Sequence, residues 1–377
     1  MVTAGMKTDL FAISNAFGPP LNKSTWSGAP ANVATALERH GLRAVGIDTS
    51  LNHAARAACA ALHLLRHRRG FSTGEIVSRG MAMRTMRARK VANDTTRLRI
   101  VKVLHTGTFD LPVGLDSDGA EHYLFCDHTW HLSHGYRPGI VSESTARTFD
   151  AIEWQIYRHC RHIFTFGKFV RDDLISHYGV SPDRVTVVGS GRGSIHPYHG
   201  PKNYNADRLL FIAKHYFAEK GGNLLIDAFR IAVRRLPRLS LTIVGGAADP
   251  SLFRGVPNID FRSFVTWPEL ERLLREASLL VQPMLNDPWG QVYLEALVSR
   301  TPVLGLARNG LPEIIQDGRH GFLVDKATPQ AIADAIIDAM SDPDRLAAMG
   351  ATGLEHVIDT YSWDRVGSSI FGVMATD

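Results

Sequence analysis

Short apolar runs alternate with helix-length stretches along both halves of this 377-residue chain, and a glycine- and proline-rich stretch interrupts the alternation once. Residues 10–14 read as a buried strand, 32–40 as a helix stopped by Gly41, and 42–47 as the next strand. A strand–helix–strand opening calls for a parallel sheet with helices on both faces. In the first half, 100–104, 123–126, 163–166 and 185–188 read as further strands, and 153–160 and 169–178 as helices. The second half alternates more cleanly. Strands are expected at 209–212, 239–244, 279–281, 303–306 and 322–324, with helices at 224–233 and 266–277. Thr266 with Glu269 has the spacing of a capping box. Thr328-Pro329 marks a helix start, and the chain reads as mostly helical from there to 374. Between the halves, residues 189–205 hold Gly189, Gly191, Gly193, Gly200, Pro197 and Pro201, the composition of a linker.

The expected fold is therefore α/β, with two Rossmann-like doubly wound domains. The expected boundaries are a first domain over 1–190, a linker over 191–205, a second domain over 206–360, and a last helix over 361–377 packing back on the first domain. Ligands of such sheets bind outside the carboxyl ends of the strands, so the expected site lies in a cleft that the two sheets face.

Composition narrows the function classes. Cys59, Cys126 and Cys160 are widely spaced and fit neither a zinc pattern nor a disulfide framework, which points to a reducing, cytoplasmic setting. No early segment reads as a signal peptide and no apolar run is long enough to span a membrane. The formal charge of +5 is uneven. Residues 56–102 carry twelve Lys or Arg against Glu75 and Asp94. A solvated basic face, a surface for anionic lipid headgroups and a nucleic-acid surface all fit that imbalance. No zinc-finger, RNA-recognition or helix-turn-helix signature supports the last, so no nucleic-acid partner is expected.

The chemistry concentrates in Asp287-Pro288-Trp289-Gly290-Gln291-Val292-Tyr293-Leu294-Glu295. Asp287 falls in a loop after a strand, and Glu295 falls inside the helix that follows. Gly290, Gln291 and Val292 open that helix, so their amides suit a diphosphate oxygen. Downstream come Thr301-Pro302-Val303, Asn309-Gly310-Leu311-Pro312-Glu313 and Asp317-Gly318 with Gly321-Phe322. Together these segments resemble the donor signature of retaining glycosyltransferases of the GT-B fold, family 4. That signature has two glutamates separated by seven residues, a Pro-Val strand and a Gly-Gly-x-Pro-Glu turn. Here Asp287 replaces the first glutamate and Asn309 the first glycine. Aspartate is one methylene shorter, and a misplacement of about 1 Å can cost roughly 100-fold in rate. Asparagine tolerates a left-handed backbone.

The resemblance implies further roles. Lys214 and Lys220 correspond to the cations that bind the donor diphosphate, Lys214 standing where arginine is usual. Phe264 falls in the strand and turn that read the nucleobase. Gly28, in Thr25-Trp26-Ser27-Gly28-Ala29-Pro30, lies in a loop near the donor phosphates. Asp127 and His128, at the end of a buried strand, occupy a region where the family places catalytic or sugar-binding groups. His128, His131 and His134 could also be read as metal ligands, but no closed ligand set is visible and the family needs no catalytic metal. The triplet Gly189, Gly191, Gly193 has the spacing of a dinucleotide fingerprint, but no helix opens behind it.

The implied activity is hexosyl transfer, with retention, from a nucleotide-diphosphate sugar to a hydroxyl of a glycan or lipid-linked acceptor. UDP is the family's most common nucleotide, with GDP open, and no cofactor is required. A nucleotide-sugar epimerase or phosphorylase on a similar fold, and a catalytically silent scaffold, are the competing readings.

Overall fold

The structure is a computed structural model that describes residues 10–66, 74–111, 119–137, 139–246 and 249–376. Its chain divides into two compact units, residues 1–191 with 363–377 and residues 192–362.

The first unit runs β1 (Leu10–Asn15), α1 (Ala29–Glu38), β2 (Arg43–Asp48), α2 (His53–Arg66), α3 (Gly74–Arg79), α4 (Met81–Leu98), β3 (Lys102–Thr106), β4 (Glu121–Cys126), α5 (Trp130–Gly135), α6 (Glu143–His159), β5 (His162–Thr165), α7 (Lys168–Ser176) and β6 (Val185–Val187). Its six strands are all parallel, in the order β2-β1-β3-β4-β5-β6. The central strands are buried on both faces and read as continuous apolar runs, as in Phe11-Ala12-Ile13 and Tyr123-Leu124-Phe125.

The second unit runs β7 (Arg208–Ile212), α8 (Gly222–Arg235), β8 (Ser240–Val244), β9 (Ile259–Arg262), α9 (Trp267–Glu276), β10 (Leu279–Val281), α10 (Gln291–Val298), β11 (Val303–Leu306), α11 (Leu311–Ile314), β12 (Gly321–Val324), α12 (Pro329–Met340) and α13 (Pro343–Thr360). Its parallel order is β12-β11-β10-β7-β8-β9. Counted within the unit this is 3-2-1-4-5-6, the Rossmann order, with its reversal between β7 and β10. One core, from Leu209 and Phe211 through Phe229 to Ile336 and Met349, fills the space between sheet and helices.

The last helix, α14 (Trp363–Thr376), belongs to the first unit and packs on α1. Gly367 comes so close to Ala36 that a Cβ on it would sit 2.4 Å from the alanine methyl. His40 stacks on Phe371 at 4.7 Å, and Arg39 pairs with Asp364.

Two local expectations need correction. Thr266 caps α9 by accepting from the Glu269 amide at 3.4 Å. The Glu269 carboxylate, however, pairs with Arg262 and Arg272 and does not return to the cap, so only half of the box is made. The basic stretch is also not a uniform solvated face. Arg79, Arg84 and Arg87 are 9%, 5% and 3% exposed, while Arg89 and Lys90 point outward. Arg68 and Arg69 lie outside the described residues, as do the side chains of Arg66 and Glu75. Among the described residues no helix is long and apolar enough to cross a membrane.

Candidate functional site

In the second unit the loops after β7 and β10 emerge from adjacent strands at the point where the strand order reverses. That is where a doubly wound sheet opens a crevice for a ligand. The two loops are stitched together. The amides of Leu285 and Asn286 both donate to the Glu219 carbonyl, at 2.8 and 3.0 Å. Gln282 takes the Ile212 amide on its Oε1 at 3.1 Å. Gly221 allows the closest approach. It sits at φ +86°, and a Cβ there would lie 1.9 Å from the Pro283 carbonyl oxygen. No other residue fits without moving one loop.

This stitching brings Lys220 and Asp287 together. Lys220 Nζ donates to Asp287 Oδ2 at 2.7 Å, with both side chains about one-fifth to one-quarter exposed (21% and 24%). Asp287 is held from a third side as well. Asn309, at φ +54°, donates its side-chain amide to the Asp287 carbonyl at 2.9 Å, and the Gly310 amide donates to the Pro288 carbonyl at 2.9 Å. The two positions that depart from the family signature therefore touch each other.

Gly290 caps α10 at φ +77°, so the amides of Gln291 and Val292 lie in the first turn of that helix, at its positive end. Tyr293 anchors the turn by donating its hydroxyl to the Gln282 carbonyl at 2.7 Å. Glu295 lies one turn further on, next to the backbone of Gly193. A Cβ at Gly193 would be 2.6 Å from Glu295 Oε1. Burial pushes the Glu295 carboxyl up to about 7, against the pull of the Lys220 ammonium. Of the glycine triplet, Gly191 packs closely on Trp363 and Gly193 on Glu295, whereas a Cβ at Gly189, at φ +75°, would meet nothing within 4 Å; no helix opens behind the three. Lys214 is exposed just beyond β7, and Phe264 is 75% exposed beyond β9.

In the first unit the carboxyl ends of β1, β3 and β4 carry a different kind of cluster. Glu153 of α6 is its hub. Its Oε1 accepts from Arg79 and Thr108, both at 3.0 Å, and its Oε2 accepts from the Trp130 amide and the Tyr157 hydroxyl, both at 2.6 Å. His128 gives its Nδ1 hydrogen to the Thr129 carbonyl at 2.8 Å, which leaves Nε2 as a buried lone pair without a partner. Burial lowers the His128 pKa to about 4, so the imidazole is neutral near pH 7. Asp127 precedes it at the end of β4.

The three histidines of this segment do not converge. His131 pairs with Asp173 at 2.6 Å, and His134 stacks on Trp130 at 5.4 Å. Among the described residues no three His, Cys, Asp or Glu side chains gather as a metal site. Gly28 caps α1 at φ +80°, after Trp26 and Ser27 at φ +44° and +52°. Two left-handed non-glycine residues in succession are strained by about 1–3 kcal/mol each. Trp26 is fixed by stacking on Phe166 at 5.4 Å.

Sequence reasoning missed Glu153, Asn309 as a contact of Asp287, and the inward turn of Arg79, Arg84 and Arg87. Asn309 carried a signal, since a residue other than glycine in a tight turn invites the question of what its side chain holds.

Comparison with known proteins agrees with this layout. The family model for glycosyl transferases group 1 matches residues 200–356. A D-inositol 3-phosphate glycosyltransferase of Streptomyces scabiei is 30% identical over 237 residues, which cover 56% of this chain and 53% of the relative. The chain thus spans about half the length of the curated relatives it matches. Among solved structures, sucrose-phosphate synthase from Thermosynechococcus elongatus aligns at TM-score 0.73 and 16% identity, covering 98% of both chains. A second, HepE of Anabaena in complex with UDP and glucose, aligns at TM-score 0.66 and 12% identity, covering 98% of this chain and 100% of that one. At these identities the likeness establishes the fold, two Rossmann-like units of the GT-B class.

Proposed function

The stretch 200–356 belongs to the glycosyl transferases group 1 family, and from that premise we propose that the protein transfers a hexose, with retention, from a UDP-sugar to an acceptor hydroxyl on a glycan or glycolipid. The observation that carries this reading is the junction of Lys220, Asp287 and the α10 amides at the strand-order reversal of the second sheet. In this reading Lys220, Lys214 and the amides of Gly290, Gln291 and Val292 neutralise the diphosphate as it leaves. Asp287 accepts from sugar hydroxyls, Glu295 from the ribose, and Phe264 lies against the base. UDP as the nucleotide draws support from the likeness to HepE, whose structure holds UDP and glucose.

The bond from the anomeric carbon to the diphosphate oxygen breaks, and its electron pair goes to the departing UDP. The acceptor oxygen attacks the same face of the oxocarbenium-like sugar and passes its proton to the leaving phosphate. No carboxylate is assigned as a covalent nucleophile. In the first unit, neutral His128 offers Nε2 to an acceptor hydroxyl, Asp127 stands beside it, and Gly28 closes the strained loop that leads into α1.

A thermal-shift screen against UDP, GDP, ADP and their sugar conjugates tests the reading. Saturation at 100 times the dissociation constant adds about 2.7 kcal/mol of stability. A shift specific to UDP and one UDP-sugar is expected. No shift with any nucleotide would sink the donor site and favour a silent scaffold.

A further inference from the structure

We propose that Arg84 and Arg87 form a binding site for a phosphate group at the strand-order reversal of the first sheet. That this phosphate is carried by the sugar acceptor rests on the transferase reading above. The argument is one of charge and hydrogen-bond accounting. Three guanidiniums, Arg79, Arg84 and Arg87, are buried with two carboxylates, Glu153 and Asp110. Every carboxylate oxygen is already engaged. Glu153 is filled by Arg79, Thr108, Trp130 and Tyr157. Asp110 takes the Thr49 hydroxyl at 2.9 Å and contacts His105 Nδ1 at 2.8 Å. Arg79 has its ion pair with Glu153.

Arg84 and Arg87 bond only neutral carbonyls. Arg84 donates to the carbonyls of Arg79 and Thr108, and Arg87 to that of Ser78 at 3.2 Å. Among the described residues no carboxylate forms an ion pair with either, and Arg84 Nη2 and Arg87 Nε have no acceptor. Burial lowers the Arg84 pKa to about 10, so the group is still charged near neutrality. Two desolvated cations with spare N–H donors form an unstable pair until an anion joins them. A phosphate group offsets the residual positive charge, and its oxygens suit the guanidinium fork.

The position favours a ligand over a purely structural cluster. Arg87 lies 5.4 Å over the ring of Phe17, and Arg84 lies 5.4 Å over that of Phe109. These phenylalanines lie in the loops after β1 and β3, the neighbours between which the strand order of the first sheet reverses. Phe17, at the edge of the cluster, is 59% exposed.

The test titrates inorganic phosphate into UDP-saturated protein at constant ionic strength, so that phosphate cannot occupy the donor site. Saturable binding is expected, weakened at least tenfold in Arg87→Gln and unchanged in Arg89→Gln, which alters an exposed neighbour. Should Arg87→Gln fail to fold, Arg87→Lys keeps the charge, loses Nε and should show the same weakening. If phosphate binds no better than chloride, or if the foldable Arg87 variant binds it like the parent, the site does not exist. If UDP itself fails to bind, the donor reading falls, while the phosphate titration of the Arg87 variants still judges this site. UDP release from UDP-glucose, measured with hexose and polyol monophosphates beside their unphosphorylated forms, identifies the source. Acceleration by a monophosphate alone marks a phosphorylated acceptor. Saturable phosphate binding without acceleration keeps the site but overturns the acceptor assignment.

Discussion

The two sheets of this molecule reverse their strand order once each, and the two reversals are furnished in opposite ways. The second unit uses short-range devices. Helix amides after Gly290, a glycine jammed against Pro283, and a part-buried Lys220–Asp287 pair are all set by loops immediately following strands. The first unit uses buried side chains from far along the chain. Glu153 alone gathers residues from α3, the loop after β3 and the start of α5. The first arrangement leaves its charges near solvent, where they can exchange partners for a ligand. The second locks its acidic charges away and is stable only as a set.

The largest expected effect tests that contrast directly. Glu153→Ala strips the counter-charge from buried Arg79 and should cost about 3–5 kcal/mol in chemical denaturation. If the contrast holds, Asp287→Ala should cost far less stability. It should instead lower turnover of the UDP-sugar by about 100-fold, or roughly 2.7 kcal/mol in the barrier. Equal stability losses in the two variants would mean that the two reversals do not differ in this way.

A smaller effect concerns pH. The Glu295 pKa is raised to about 7 from an ordinary 4.5, so the folded state holds a proton that the unfolded state releases first. Stability should therefore fall as pH rises from about 4.5 to 7, by about 3 kcal/mol relative to a non-titrating variant. Denaturation of Glu295→Gln across that window should lack this slope, and a parallel slope in both proteins would assign the titration elsewhere. The smallest effect is a coupling. Asn309 holds the Asp287 carbonyl, so Asn309→Gly and Asp287→Glu should be non-additive in turnover by about 1 kcal/mol, the double variant outperforming the sum of the singles. Strict additivity would mean that the asparagine does not set the position of the shorter acid.

The same contrast explains what could be read in advance. The Lys220–Gly221 turn, the Thr328 cap and the segment from Asp287 to Glu295 were legible because their signals are local: glycine after a strand, a capping hydroxyl, charges at fixed spacing. Helix α4 was not, and neither were α2 and α3. The inward face of α4 carries Arg84 and Arg87 beside Met83, Ala88 and Val91, so its apolar stripe is broken where it meets the core. A charge count took those arginines for surface. Only the fold brings Thr108 to Arg84 across 24 residues and Glu153 to Arg79 across 74. The separation of Asn309 from Asp287 by 22 residues hid that contact in the same way.

The return of α14 to α1 gives the chain a particular order of assembly. Residues 192–362 form a closed insertion in the sequence of the first unit, so every residue of the second unit is synthesised before the first can be completed. Until residues 363–376 follow, the face of α1 that receives Gly367 and Phe371 stays bare. The nascent chain thus carries an unfinished early unit and a finished late one, and the final helix acts as the latch that ends that interval.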